Sequence, residues 1–271
     1  MAQSIGSSNQ SDSESAPDQN ARDRNSADRG QPELPTINVA ERGRDPNGKP
    51  ITLDRRLFMQ FMAFGNCRDI SVLKSAFDQS QPQAVLYRDA NDPQGIGLLA
   101  FSENPETIVA TVQSICDNDM SELVPKPEYT MLGRTYSIGY ESDLEDVLVS
   151  RPVTRVCNPE IPWCIWYPVR RSGMFERESQ EEQRKMLMEH GGIGHAFGKA
   201  GLATDIRLAG HGLNKQDNDF IVGLLGKELY PLSALVQRMR RTRQTSEFID
   251  NMGPFFIGQA AWQPKSDREL Q

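Results

Sequence analysis

Apolar residues recur along this chain with two periods, and the switches between them mark out the elements. "RRLFMQFMAF" (Arg55 to Phe64) is apolar and aromatic, as a buried strand is. "DISVLKSAF" follows, with Ile70, Leu73 and Phe77 at helical spacing. Two short strands come next, "QAVLYRD" (Gln83 to Asp89) and "IGLLAFS" (Ile96 to Ser102), parted by the turn cluster "ANDPQG". Asn104, Pro105 and Glu106 then open a helix. They supply an N-cap acceptor, a ring with fixed φ at the first helical position, and a negative charge at the positive helix end. Its apolar face is Ile108, Val109, Val112, Ile115 and Cys116. "EYTMLGRTYSIG" (Glu128 to Gly139) returns as a strand. The order is βαββαβ, a ferredoxin-like unit.

The second half repeats it. "PWCIWYPV" (Pro162 to Val169) is a strand, and Ser179 with Glu182 caps a helix. That helix is expected to stop at His190, because Gly191 and Gly192 take the left-handed conformation cheaply. "HAFGKAG" and "TDIRLAG" read as extended chain and "NDFIVGLLG" as a strand. Pro231 opens a helix with Leu232, Leu235, Val236 and Met239 on one face, and "GPFFIGQAAW" closes as a strand. The halves align loosely at a spacing of about 124 residues, through element order and a proline at both helix starts. The pattern predicts an α+β fold: two tandem ferredoxin-like βαββαβ units of the dimeric α/β-barrel type, over 53–150 and 151–271. Residues 1–52 are rich in Ser, Asn, Asp, Gln and Gly. Such a stretch buries too little apolar surface to offset the entropy of ordering, so a disordered polar tail is expected there.

That tail explains a mean hydropathy of −0.57, polar for a globular chain. A net charge of −7 argues against nucleic acid as a partner. No apolar run approaches the length of a membrane span, and "MAQSIGSSNQSDSES" has neither the basic start nor the apolar run of a secretory signal. Cys67, Cys116, Cys157 and Cys164 form no CxxC pair, which suits reduced thiols in a cytoplasmic protein.

Candidate chemistry is concentrated in two stretches. The chain has three histidines, and two lie in "MLMEHGGIGHAFG" (Met186 to Gly198). His190 either complements a negative helix end as a cation or ligates a metal as a neutral imidazole. Zinc is the weaker form of the second option, since His190 and His195 cross a helix break with no acidic or cysteine partner at zinc spacing. Haem is the stronger form: it needs one axial histidine, and the glycines leave clearance for a flat macrocycle. The second stretch is "WCIWYPVRRSG" (Trp163 to Gly173). Strand alternation puts Trp163, Ile165 and Tyr167 on one face, with Cys164 and Trp166 on the other. Arg170 and Arg171 are either solvated surface or bidentate donors to carboxylates beside an aromatic pocket.

"WYPVRRSG", followed by a charged helix ending "EEQRKMLMEHGGIG", resembles the chlorite dismutase family, with closest similarity to its coproheme decarboxylase branch. The resemblance takes in "LVQRMRRTRQTSEF" and "GPFFIG" and is good over 161–258; in the first half it rests on element order alone. It implies a haem b or iron-coproporphyrin III site in the C-terminal half of a homo-oligomer, commonly a pentamer. It implies His190 as the proximal iron ligand and Tyr167 as the tyrosine that becomes a radical. Arg170 or Arg171, and Thr245, would hold propionates, and the distal residue would be Arg207 or Asp205. Arg243 and Gln244 stand where a carboxylate orienting the histidine is expected, with Glu247 one turn on. The implied reaction is oxidative decarboxylation of iron-coproporphyrin propionates by hydrogen peroxide, giving protohaem. The alternatives are chlorite dismutation to chloride and dioxygen, or a non-catalytic haem carrier or sensor.

Overall fold

The structure, a computed structural model, describes residues 36–264. The chain opens with a hairpin, β1 (Glu41–Arg44) and β2 (Pro50–Leu53). The first ferredoxin-like unit follows as β3 (Phe58–Gly65), α1 (Ile70–Ser80), β4 (Ala84–Asp89), β5 (Ile96–Ser102), α2 (Pro105–Asp117) and β6 (Val124–Thr135). A π-turn at Asp146–Ser150 and the short α3 (Arg151–Val156) connect the halves. The second unit is β7 (Trp163–Arg171), α4 (Gln180–Lys199), β8 (Thr204–Ala209), β9 (Phe220–Gly226), α5 (Leu229–Met239), α6 (Arg243–Phe248), β10 (Ile249–Met252) and β11 (Phe256–Trp262). No described helix is long and apolar enough to cross a membrane.

Both units pair their strands in the same order, β6-β3-β5-β4 and β11-β7-β9-β8. β4 pairs with β11 and β6 with β8, so eight antiparallel strands close on themselves. Closure removes the sheet edges that each half would otherwise expose. β10 is an addition, paired to the last residues of β7. Inward residues of the two halves share one core: Met59, Phe61 and Leu99 from the first meet Trp166, Ile221 and Phe256 from the second. Phe61 stacks on Trp166 at 6.0 Å between ring centroids and tilts against Phe256 at 4.7 Å. Outward residues of the first unit, such as Phe64, Leu86 and Leu98, are covered by α1 and α2 through Leu73, Phe77 and Ile108. Those of the second, Ile165, Tyr167 and Leu224, face α4 and α5.

Room at the barrel centre is tight. A Cβ on Gly223 would lie 2.5 Å from Cη2 of the fully buried Trp166. Gly223→Ala is therefore expected to destabilise the fold by about 1–3 kcal/mol, the usual cost of overpacking, as chemical denaturation would measure.

Three expectations are corrected. α4 does not stop at His190; it continues through Gly191, Gly192 and Gly194 to Lys199, and "HAFGKAG" is helical up to Lys199 rather than extended. None of those glycines adopts a positive φ, and the left-handed residue is Gly201, just past the cap at Ala200. Each interior glycine costs roughly 1 kcal/mol of helix propensity. Ile193 and buried Phe197, four residues apart on the face packed against the sheet, offset that cost. The second correction concerns the polar tail expected over 1–52. Residues 1–35 lie outside the described ones, but 41–53 form the hairpin. Polar contacts stand in for apolar burial there: Glu41 Oε1 meets Arg134 Nη1 at 2.9 Å, and Glu41 Oε2 accepts from the Ser137 N–H at 2.9 Å. Third, Pro231 falls in the first turn of α5, which begins at Leu229, rather than at its first position.

Candidate functional site

Between the outward face of the second unit and its helices lies a cavity of about 840 Å3. That is within the roughly 300–1,000 Å3 of small-molecule sites. Its sheet wall comes from alternate residues of three strands. Tyr167 of β7 pairs with Val222 of β9, which pairs in turn with Arg207 of β8, so the three form one row on one face. Val169 and Phe220 form the next row along, and Arg171 lies beyond. The helix wall is the Gln183, Leu187, His190 and Gly191 stripe of α4, at spacings that keep one helical face. Met239 of α5 and Gln244 and Thr245 of α6 complete it.

His190 sits in mid-helix with Nδ1 3.3 Å from Thr242 Oγ1 and 3.5 Å from Thr245 Oγ1. Burial pushes its pKa below the ordinary histidine value, and the nearby Arg171 and Arg207 cations push the same way. The ring is therefore neutral near pH 7 and keeps a lone pair for a ligand. Beside it, a Cβ on Gly191 would meet nothing within 4 Å, so its missing side chain leaves open space next to the imidazole.

The double arginine divides by strand alternation. Arg170 points away from the cavity and pairs at the surface with Asp217, Nη2 to Oδ2 2.8 Å. Arg171 lines the cavity, its guanidinium 4.3 Å over the Phe175 ring and 4.7 Å over Phe220. Its Nη1 lies 3.9 Å from Glu176 Oε1, its backbone N–H donates to Asp219 Oδ2 at 2.7 Å, and its Nε is buried without a hydrogen-bond partner. Burial lowers the Arg171 pKa, opposed by Tyr136, Glu176 and Asp219. Gln244, 8% exposed, leaves Oε1 unpartnered on the same cavity. Each of these buried atoms without a partner carries a desolvation cost within the wall of the cavity.

Tyr167 is buried and stacks on Phe255 at 4.5 Å. Burial raises its phenol pKa well above the ordinary value, so the O–H is kept. Arg207 also lines the cavity, with Nε 3.2 Å from Asp205 Oδ2; Asp205 itself lines a smaller pocket next door. His195 is exposed, and His211 lies at the surface, Nε2 3.6 Å from Asp219 Oδ1. Among the described residues no group of three or more His, Cys, Asp or Glu is placed to hold a metal ion.

Sequence reasoning missed two site residues. Tyr136, just past the end of β6, lines the cavity near Arg171 and Arg207, and burial raises its pKa. Thr242 caps α6 and meets His190. Strand alternation through "LGRTYSIG" carried a signal for Tyr136. Thr242 had none, because its contact with His190 spans 52 residues.

A model of the chlorite dismutase family matches residues 92–261. Among solved structures, TA0507, provisionally described as a chlorite dismutase, is similar with a TM-score of 0.62 and 11% identity, over 77% of this chain and 96% of that one. Chlorite dismutase from Candidatus Nitrospira defluvii, in complex with imidazole, gives a TM-score of 0.59 and 14% identity over 78% and 93%. At those identities the structures speak to the fold alone. No curated protein matches the sequence. The family match spans well over half the chain, from β5 of the first unit through nearly all of the second, and by it this protein belongs to the chlorite dismutase family.

Proposed function

We propose that this protein is a haem-binding oxidoreductase whose reaction is the peroxide-dependent decarboxylation of iron-coproporphyrin propionates to give protohaem. Family membership supports the broad class. The narrower reading rests on one observation. Tyr167, His190 and Arg171, which arise on a strand and a helix, converge on a single cavity that Arg207, Gln244 and Thr245 also line.

The residues fit such a ligand. A flat, largely apolar macrocycle suits a slot walled by Val169, Val222, Phe220, Leu187 and Met239. Its carboxylates suit the Arg171 cation on the cavity wall, and Gly191 leaves open space beside the helix. When bound, the iron supplies the redox chemistry with hydrogen peroxide that side chains cannot supply alone.

The chain's own groups do the rest. His190 would hold the iron through one ring nitrogen while Thr242 meets the other. Arg171 orients a propionate through charge-assisted hydrogen bonds. Tyr167, protonated in its buried site, would pass its phenolic hydrogen to the peroxide-derived oxidant and take one back from the propionate chain. Arg207 adds a second cation on the same wall as Tyr167. Each round converts one propionate, one peroxide and one proton into a vinyl group, carbon dioxide and two waters.

The test is mass spectrometry of the full chain loaded with iron coproporphyrin III during stepwise peroxide addition. Two successive losses of carbon dioxide with two hydrogens are expected; bleaching with no vinyl product would overturn the reading. Arg171→Met is expected to weaken iron-coproporphyrin binding by roughly 10- to 100-fold, the value of a hydrogen bond to a charged group. A porphyrin with esterified side chains should lose far less, which a fluorescence-quenching titration would resolve.

A further inference from the structure

We infer that Thr242 is a positioning residue that fixes the proton of His190 on Nδ1 and so presents Nε2, as a lone pair, to the cavity. The inference rests on the reading of His190 as an axial ligand, but its first consequence concerns the protein alone.

The hydrogen bonds around Thr242 leave little freedom. Its hydroxyl has one proton and two lone pairs. The proton goes to the Met239 carbonyl, 2.8 Å away, the shortest contact the hydroxyl makes. As N-cap of α6 the oxygen accepts from the Thr245 N–H at 3.4 Å. The Thr245 hydroxyl also lies 3.2 Å from this oxygen, and His190 Nδ1 faces it at 3.3 Å; with the Thr242 proton on the Met239 carbonyl, the hydrogen in the His190 contact comes from the ring, which makes Nδ1 the donor. Thr245 Oγ1 is farther from the ring, at 3.5 Å. Thr242 is 1% exposed and held by both helix ends it joins, so the acceptor cannot swing away.

The partner is a neutral hydroxyl, although carboxylates are near. Glu189, next to His190, is turned to the Arg243 backbone N–H, its Oε2 3.1 Å away. Asp205 acts on the ring only through its charge, its Oδ2 engaged by Arg207 Nε at 3.2 Å. A carboxylate on the far nitrogen makes a metal-bound imidazole more basic. A hydroxyl sets the same tautomer and ring angle while leaving the ligand a weaker electron donor. The site thus holds an orientation device without the charge that often accompanies it.

The test uses nitrogen NMR of the haem-free full chain with labelled histidine, at a pH where the imidazoles are neutral. Only three histidines contribute, and His190→Ala identifies the signal. A predominantly Nδ1–H ring is expected for His190, retained in Thr242→Ser and shifted to predominantly Nε2–H in Thr242→Val. In protein loaded with iron porphyrin, Thr242→Asp should move the iron reduction potential to more negative values and Thr242→Ser should leave it in place. A wild-type His190 in the Nε2–H form overturns the inference, and so does an unchanged tautomer in Thr242→Val. Should the valine variant not fold, the wild-type tautomer and the potential of the serine and aspartate variants still decide. A correct tautomer in a protein that binds no iron porphyrin would instead sink the axial-ligand reading and leave Thr242 with its role.

Discussion

His190→Ala is expected to abolish tight binding of iron coproporphyrin, with the Soret band of the complex lost or shifted to that of free pigment. Loss of a hydrogen-bond partner of a metal ligand costs about 10- to 100-fold in affinity, and loss of the ligand itself should exceed that, roughly 100-fold or more. No neighbour can substitute: His195 is exposed outside the cavity, and Tyr167, on the opposite wall, is protonated. The fold should survive, because His190 projects from a helix and alanine is the better helix former. Added imidazole should restore the spectrum by entering the space the side chain vacates. A variant that binds as tightly as the wild type would remove the metal-ligand role.

Tyr167→Phe is expected to separate binding from turnover. The change removes one oxygen and keeps the ring, the stack on Phe255 and the burial. Porphyrin affinity should stay close to wild type, while carbon dioxide release falls by roughly 10²–10⁴-fold, the range for losing a group that transfers a proton at the reacting centre. Quantifying protohaem formed per peroxide consumed measures this. Equal rates in the two proteins would move the hydrogen-transferring role to another group, with Tyr136 the nearest candidate on the cavity wall.

Local patterns in this sequence translated well into structure. The βαββαβ order of each half is present, and Asn104 and Ser179 accept the helix-opening N–H groups as their types require. Period-two alternation correctly separated Tyr167, on the helix-covered face, from Cys164 and Trp166 in the barrel. The same alternation, carried on through Val169, distinguishes Arg171 in the cavity from Arg170 outside it. What failed depended on distant contacts. Gly191 and Gly192 look like a helix stop by propensity, yet packing of Ile193 and Phe197 on the sheet carries the helix past them. The pairings of β4 with β11 and β6 with β8 leave no local trace, since each joins strands from opposite halves. Thr242 is unremarkable in sequence and gains meaning only where the α5–α6 corner meets α4.

The most direct test is a crystal structure of the full chain grown with iron coproporphyrin. The macrocycle is expected between the β7–β9 face and α4, with continuous density from His190 Nε2 to iron and a propionate on Arg171. A porphyrin bound elsewhere, or an iron ligated by another residue while His190 turns from the cavity, would contradict the assignment.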